Sequence, residues 1–257
     1  MAGKTNEGNN DLVTYTLRLA DTALVLGHRL SQWSSYGPTI EEDIALSNLA
    51  LDLIGQARLL YDYAGAVENK GRDEDALAYL RDEHAYLNLL MAEQPNGDFA
   101  VTMVRQFLYA AFMHPYMEAL MRSKDETLAA IAAKAEKELT YHLRHAGEWV
   151  VRLGDGNEES HARAQAALDD LAIFVGEFFV TDVLEDAMIA AGIAPDPATI
   201  RSRFEATVDR VLGEATLRRP VFTAHHLGGK AGRHTEYLGP MLAEMQVLHR
   251  AHPGAVW

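Results

Sequence analysis

Glu138 and His142 lie four residues apart in EKELTYHLRHAGEW, and His145 follows within a turn. On a helix that spacing sets a carboxylate and an imidazole on one face, enough to hold a lone metal ion weakly. Asp21 and His28, seven apart, share similar faces of a second segment. Asp52 lies in LALDLIGQARLL with Asn48 one turn before it, and Glu177 lies in AIFVGEFFV. Both neighbourhoods are almost wholly apolar. A charge in such surroundings is costly unless a metal, a cation or hydrogen bonds compensate it. Arg58, Arg81 and Arg105 could supply the compensating charge. For Asp21, Asp52, Glu138, His142 and Glu177 the simplest reading is therefore structural ion pairs and histidine hydrogen bonds. A working metal site and plain solvent exposure are the alternatives.

A di-metal carboxylate site makes a sharper demand. It takes one glutamate from each of two helices and Glu-x-x-His from each of two others, because residues three apart can both reach the metals. Among the histidines, only His161 has a glutamate three residues before it, Glu158. That pair follows GDGN, at a helix start and not midway along a helix. Glu158 there is better placed to favour the helix dipole. His142 has Leu139 at the critical place, His28 has Val25 and His84 has Arg81. The ligand set is incomplete, which predicts a degenerate or absent metal centre and no catalytic residue in this chain.

Other chemistry is sparse. There is no GxSxG, P-loop, HExxH or strand-borne GxGxxG. Asp82, Glu83 and His84 are adjacent, so they point in different directions and suit solvent or a partner. Lys230, Arg233 and His234 gather positive character in HHLGGKAGRHTEYL, just before a helix N-terminus. They are candidates for an anion or partner contact; the simpler alternative is a glycine-rich loop with Thr235 as N-cap.

The elements that position these residues are all helical. Apolar residues Leu12, Tyr15, Leu19, Leu26, Leu30 and Trp33 recur at helical spacing, with Asp11 as a candidate cap. After the breaker SSYGPT, Thr39 and Glu42 form a capping-box pattern. The second helix spans roughly 40–66, and a third lies near 74–92. The turn EQPNGD precedes a fourth at about 99–122, within which Pro115 is expected to introduce a kink. A fifth covers roughly 125–153, a sixth 158–191, a seventh 197–212 and a last one 235–250. Long helices with short connections predict an all-α antiparallel helix bundle with extra C-terminal helices. Residues 1–10 are expected to be a disordered tail and 11–257 a single helical domain.

Composition narrows the function. The chain has 257 residues, 48% of them hydrophobic, and a formal net charge of -14. That charge disfavours nucleic acid and anionic membrane surfaces. There is no cysteine, hence no disulfide or thiolate chemistry. No signal core and no membrane-spanning run is evident, so a cytoplasmic location is expected.

Three long stretches, ADTALVLGHRLSQW at 20–33, EEDIALSNLALDLIGQARLLYDYAG at 41–65 and YLRDEHAYLNLLMAEQPNGDFAVTMVRQFL at 79–108, are similar to the structural C subunits of bacterial phenylacetyl-CoA ring 1,2-epoxidases. The tail GGKAGRHTEYLGPMLAEMQVLHRAHPGAVW at 228–257 adds to the resemblance, which covers nearly all of the chain after residue 10. It implies a ferritin-like fold and membership of a multicomponent monooxygenase in aerobic phenylacetate degradation. The implied partners are a catalytic A subunit that carries the di-iron centre and binds phenylacetyl-CoA, a small B subunit, and a reductase. FAD, iron–sulfur and NADPH belong to that reductase, and this chain itself would carry no cofactor. Asp21, Asp52, Glu138, His142 and Glu177 would then be remnants or replacements at a former metal level. An independent metal-dependent helical-bundle oxygenase and a homo-oligomeric metal-storage bundle are the competing functions.

Overall fold

α1 runs from Ala2 to Ser31 and α2 from Ile40 to Glu68. The computed structural model describes residues 2–255, with side chains from residue 9 onward. The fold is all-α, built on long antiparallel helix pairs of the ferritin-like kind, and no strand occurs among the described residues. α1 takes in the backbone of residues 2–10, which composition alone reads as a tail, and Asp11 lies inside the helix. Thr39 caps α2 as expected, its hydroxyl accepting from Glu42 N at 3.3 Å.

The chain groups into two compact units. The first comprises residues 1–95 and 228–257. Here α1 and α2 form an antiparallel hairpin whose seam buries Leu24, Leu26, Leu30, Leu46, Leu49, Leu53 and Leu60. α3 spans only Glu74–Tyr79, shorter than the 74–92 expected. The rest of that segment is a 3-10 turn at Glu83–Ala85 followed by an irregular run. The reason is competition for backbone donors: Leu87 N donates to Asp21 Oδ2 at 2.7 Å and Leu89 N to Thr22 Oγ1 at 3.1 Å. Side chains of α1 thus replace the helical acceptors and hold the run extended. The unit also contains a 3-10 turn at Gly229–Ala231 and a C-terminal helix, Leu238–Ala251.

The second unit, residues 96–227, is an insertion between the two segments of the first. α4 is Phe99–Leu120, α5 Glu126–Gly154, α6 Glu158–Val175, α7 Val183–Ala191 and α8 Arg201–Glu214; the C-terminal helix of the first unit is accordingly α9. Pro115 sits inside a continuous α4. Asp98, Asp125, Asn157 and Asp182 cap α4, α5, α6 and α7, each accepting a backbone N–H through its side chain. The expected helix 158–191 is interrupted by a 3-10 turn at Gly176–Phe179 and an irregular link before Asp182. A side chain at Gly176 would collide with the Thr223 carbonyl, which accepts from Gly176 N at 3.0 Å. The irregular segment that follows α8 is pinned there, against the end of α6. Phe112, Phe178, Phe179, Phe204 and Phe222 form a cluster of stacked, edge-on and tilted rings, with centroids 4.8–6.3 Å apart.

Candidate functional site

Two buried polar clusters stand out in the first unit, and each is closed by its own internal counter-charge. Asp21, on α1, is fully buried. Its carboxylate forms a bidentate ion pair with Arg81: Nη2 donates to Oδ1, and Nη1 donates to Oδ2 at 3.1 Å. Tyr61 of α2 donates its hydroxyl to Oδ1 at 2.5 Å, and Leu87 N occupies Oδ2. Arg81 also donates to the Leu77 and Ala85 carbonyls and lies over the Tyr86 ring, 4.3 Å from its centroid. Burial alone would weaken the arginine's hold on its proton, but Asp21 outweighs it and the net shift is upward. Burial and the adjacent Asp21 push the Tyr61 phenol well above its ordinary value, so it stays a donor.

Glu93 is the centre of the second cluster and is also fully buried. Asn88 Nδ2 donates to Oε2 at 2.8 Å; Thr235 N and Oγ1 donate to Oε1 at 2.6 and 2.7 Å. His234 Nδ1 lies 2.9 Å from Oε2, while its Nε2 lies 2.8 Å from the Tyr86 carbonyl. Both ring nitrogens face acceptors, which requires both to carry protons. The setting thus favours the doubly protonated ring, although the side chain is only 1% exposed. Burial opposes that charge; Glu93 and the Tyr86 carbonyl overcome it, and the histidine's pKa is raised. Arg29 donates to the Glu93 backbone carbonyl at 2.7 and 3.1 Å. Gly229 and Gly232 let the C-terminal loop press close here, since a side chain at either would strike the carbonyl of Asn88 or His84.

The residues singled out from sequence thus separate. Asp21, His142 and Glu177 are buried, whereas Asp52 and Glu138 are partly exposed. In the second unit His142 Nδ1 meets the Gln106 amide at 3.1 Å, and Glu138 approaches Lys134 at 3.8 Å. Glu177 lies in the 3-10 turn after α6. Of the three arginines expected as counter-charges, Arg81 fills the role for Asp21. Arg58 is an exposed partner of Glu74, and Arg105 donates to Asn96 Oδ1 at 2.6 Å. Glu158 is a first-turn acid of α6, and His161 Nδ1 faces the Gly154 carbonyl at 2.7 Å.

Of the C-terminal basic group, His234 faces the internal carboxylate just described, Lys230 accepts Arg18 Nε through its backbone carbonyl at 3.1 Å, and Arg233 is exposed. Thr235 bonds Glu93 and not the N-terminus of α9, which has no side-chain cap. Asp82, Glu83 and His84 are exposed, as expected. Glu93 escapes sequence reading because it directly precedes the turn residues of QPNGD; the buried run LNLLMAE before it is the available signal.

These donor sets do not suit a di-iron centre. Both oxygens of Asp21 are taken by Arg81, Tyr61 and Leu87, and His142 Nδ1 is taken by Gln106. Among the described residues no group of three or more His, Asp or Glu side chains is arranged to hold a metal ion. An open cleft of about 540 Å³ between α5 and α8 is lined by Arg144, Glu148, Arg152, Arg210 and Glu214. Its cations are already engaged: Arg210 with Glu214 at 3.0 Å, Arg152 over Trp149 and Arg144 over Tyr141.

His28 is a different kind of group, half-buried as a residue but with its Nε2 inside the protein. Its Nε2 has no hydrogen-bond partner among the described residues, and the ring meets Tyr79 edge-on at 6.4 Å, which in turn stacks on His249 at 4.3 Å. Burial lowers its pKa to about 4. Between pH 6.5 and 4 the unfolded chain takes a proton that folded His28 refuses, so stability falls as pH drops through that window. A His28→Leu variant should be spared this loss, gaining about 2 kcal/mol relative to the parent on going from about pH 7 to about pH 4.5. Urea unfolding at the two pH values measures it; an unchanged difference between the proteins would contradict the assignment.

No helix among the described residues is long and apolar enough to cross a membrane. Residues 2–257 match the family model described as phenylacetic acid catabolic protein. The chain is also 48% identical over 248 residues to the C subunit of the 1,2-phenylacetyl-CoA epoxidase of Escherichia coli (strain K12), covering 96% of this chain and 100% of the relative. With that family model matched over residues 2–257 and a relative 48% identical along its whole length, this chain belongs to the phenylacetic acid catabolic protein family.

Proposed function

We propose that this chain is the non-catalytic structural subunit of a phenylacetyl-CoA 1,2-epoxidase complex. The observation that carries the reading is the end-to-end 48% identity with the C subunit of such an enzyme. The occupied donor atoms of Asp21 and Glu93 support it from the chemistry, because neither carboxylate is available to a metal. In this reading the chain supports a catalytic A subunit bearing the di-iron centre. A small B subunit and a reductase using FAD, an iron–sulfur cluster and NADPH complete the cytoplasmic complex. Asp21, Asp52, Glu138, His142 and Glu177 hold the helices together and ligate nothing. Arg233 and Lys230 remain a proposed contact for a partner or an anion, and residues 11–257 are proposed to behave as one domain, which a single calorimetric transition would support.

Elemental analysis of the chain purified alone from iron-supplemented medium tests the reading. The expected content is below roughly 0.1 iron per chain, against about two for a full di-iron centre. A value near two would sink the structural role. Iron-dependent epoxidation of phenylacetyl-CoA by the co-purified complex, and none by this chain alone, is the matching activity result.

A further inference from the structure

Opposite its buried face, α2 carries an exposed row in which apolar residues are followed by Arg58 and Asp62. Leu46, Leu49, Leu53 and Leu60 are buried against its own unit. On the other side Ile40, Ile44 and Leu51 are 77%, 57% and 66% exposed, and Leu59 is exposed too. At ~100° per residue Ile40, Ile44, Leu51 and Gly55 fall within about 60° of one another, with Leu59 at the margin. Scattered exposed leucines are ordinary; a row of them along one helix marks a contact surface. Gly55 adds a second feature: nothing lies within 4 Å of where its side chain would be. A partner backbone can therefore approach the middle of the row closely.

The charges select the kind of partner. The row is flanked by exposed Glu41 near its start and exposed Asp62 near its end. The cation on that side, Arg58, is paired with Glu74. A two-fold pairing of α2 with a second copy, centred on Leu51, would set Asp62 of one chain beside Ile40 and Glu41 of the other. In a chain of net charge -14 that brings acid onto acid and onto an apolar side chain. We infer that this face docks a helix of a different subunit, one presenting an apolar strip with Lys or Arg near both ends. The inference rests on the proposed function only in its choice of probe, the companion epoxidase subunits.

The test is co-purification and sedimentation velocity of the full-length chain with tagged companion subunits of the source organism. Ile44→Glu/Leu51→Glu is the main variant, with Glu41→Lys and Asp62→Lys as charge reversals. All four positions are exposed, so melting temperature and far-UV circular dichroism should match the parent. The expected result is association weakened on the order of 100-fold by the double variant and roughly tenfold by each reversal. Wild-type binding with the double variant within about threefold of it would overturn the docking face and leave the proposed function standing. No binding of any companion subunit by the wild type would overturn the proposed function and this occupant together. Dimerisation of the chain alone, abolished by Leu51→Glu, would overturn the unlike partner in favour of a second copy.

Discussion

Arg81→Ala is expected to destabilise the protein by about 3–5 kcal/mol, among the largest effects any single substitution should have here. Asp21 would be left fully buried with its charge unmatched, because the remaining donors, Tyr61 and Leu87 N, are neutral. The loss extends beyond the pair. The Arg81 side chain also ties the Leu77 and Ala85 carbonyls, which lose a donor with it. The side-chain contribution can be separated by a double variant, Asp21→Leu/Arg81→Met. Removing both charges together is expected to recover the part of the loss due to the unmatched charge, while the Tyr61 hydroxyl and Leu87 N, left without their acceptor, keep the double variant less stable than the parent. Equilibrium urea unfolding followed by circular dichroism measures all three proteins. If the double variant were as unstable as Arg81→Ala, the ion pair would not be the source of the loss.

Glu93→Gln is the second large effect, again about 3–5 kcal/mol. The amide can still accept from Thr235 through one oxygen. Its NH₂ group, however, would face the donors Asn88 Nδ2 and His234 Nδ1, and the imidazolium would lose its counter-charge. The pH signature identifies the cause. His234 has a folded pKa raised above the ordinary 6.5. Between those two values the folded state holds a proton that the unfolded state has released, so its contribution is complete below pH 6.5 and is lost as pH climbs through the raised value. His234→Gln should flatten this alkaline limb of the stability profile, while the acid limb set by His28 persists. A profile from about pH 4.5 to about pH 8.5 for wild type and variant would show it; an unchanged alkaline limb would mean that His234 is neutral in the folded protein.

The sequence discloses the helices more fully than the site. α2, α4 and α5 begin within a residue of the expected starts at about 40, 99 and 125, and Thr39, Asp98 and Asp125 are the side chains that cap them. The segments 80–92 and 176–182 carry apolar spacing that allows a helix. Their real conformation depends on partners remote in sequence, Asp21 and Thr22 for one and Thr223 for the other. The same limit governs the polar core. Asp21 is conspicuous for its buried setting, and Arg81 is among the possible partners. Nothing local says that it, and not Arg58, reaches Asp21 across 60 positions. Asp52 and Glu177 both sit in apolar stretches of sequence, yet only Glu177 is buried, because burial is decided by which face of a helix meets its neighbours.

The two segments of the first unit have a consequence for how the chain is made. Glu93 must wait for His234, which lies 141 residues further on. At ~5–20 residues per second, translation alone separates the two by roughly 7–28 s. During that interval the nascent α1–α2 hairpin has neither α9 nor the imidazolium, and the acceptors that will receive Thr235 are open. The inserted unit 96–227, contiguous in sequence, can fold while the first stands incomplete. Chaperone capture on ribosomes should therefore peak on nascent chains between about residues 95 and 250, and release should coincide with emergence of α9.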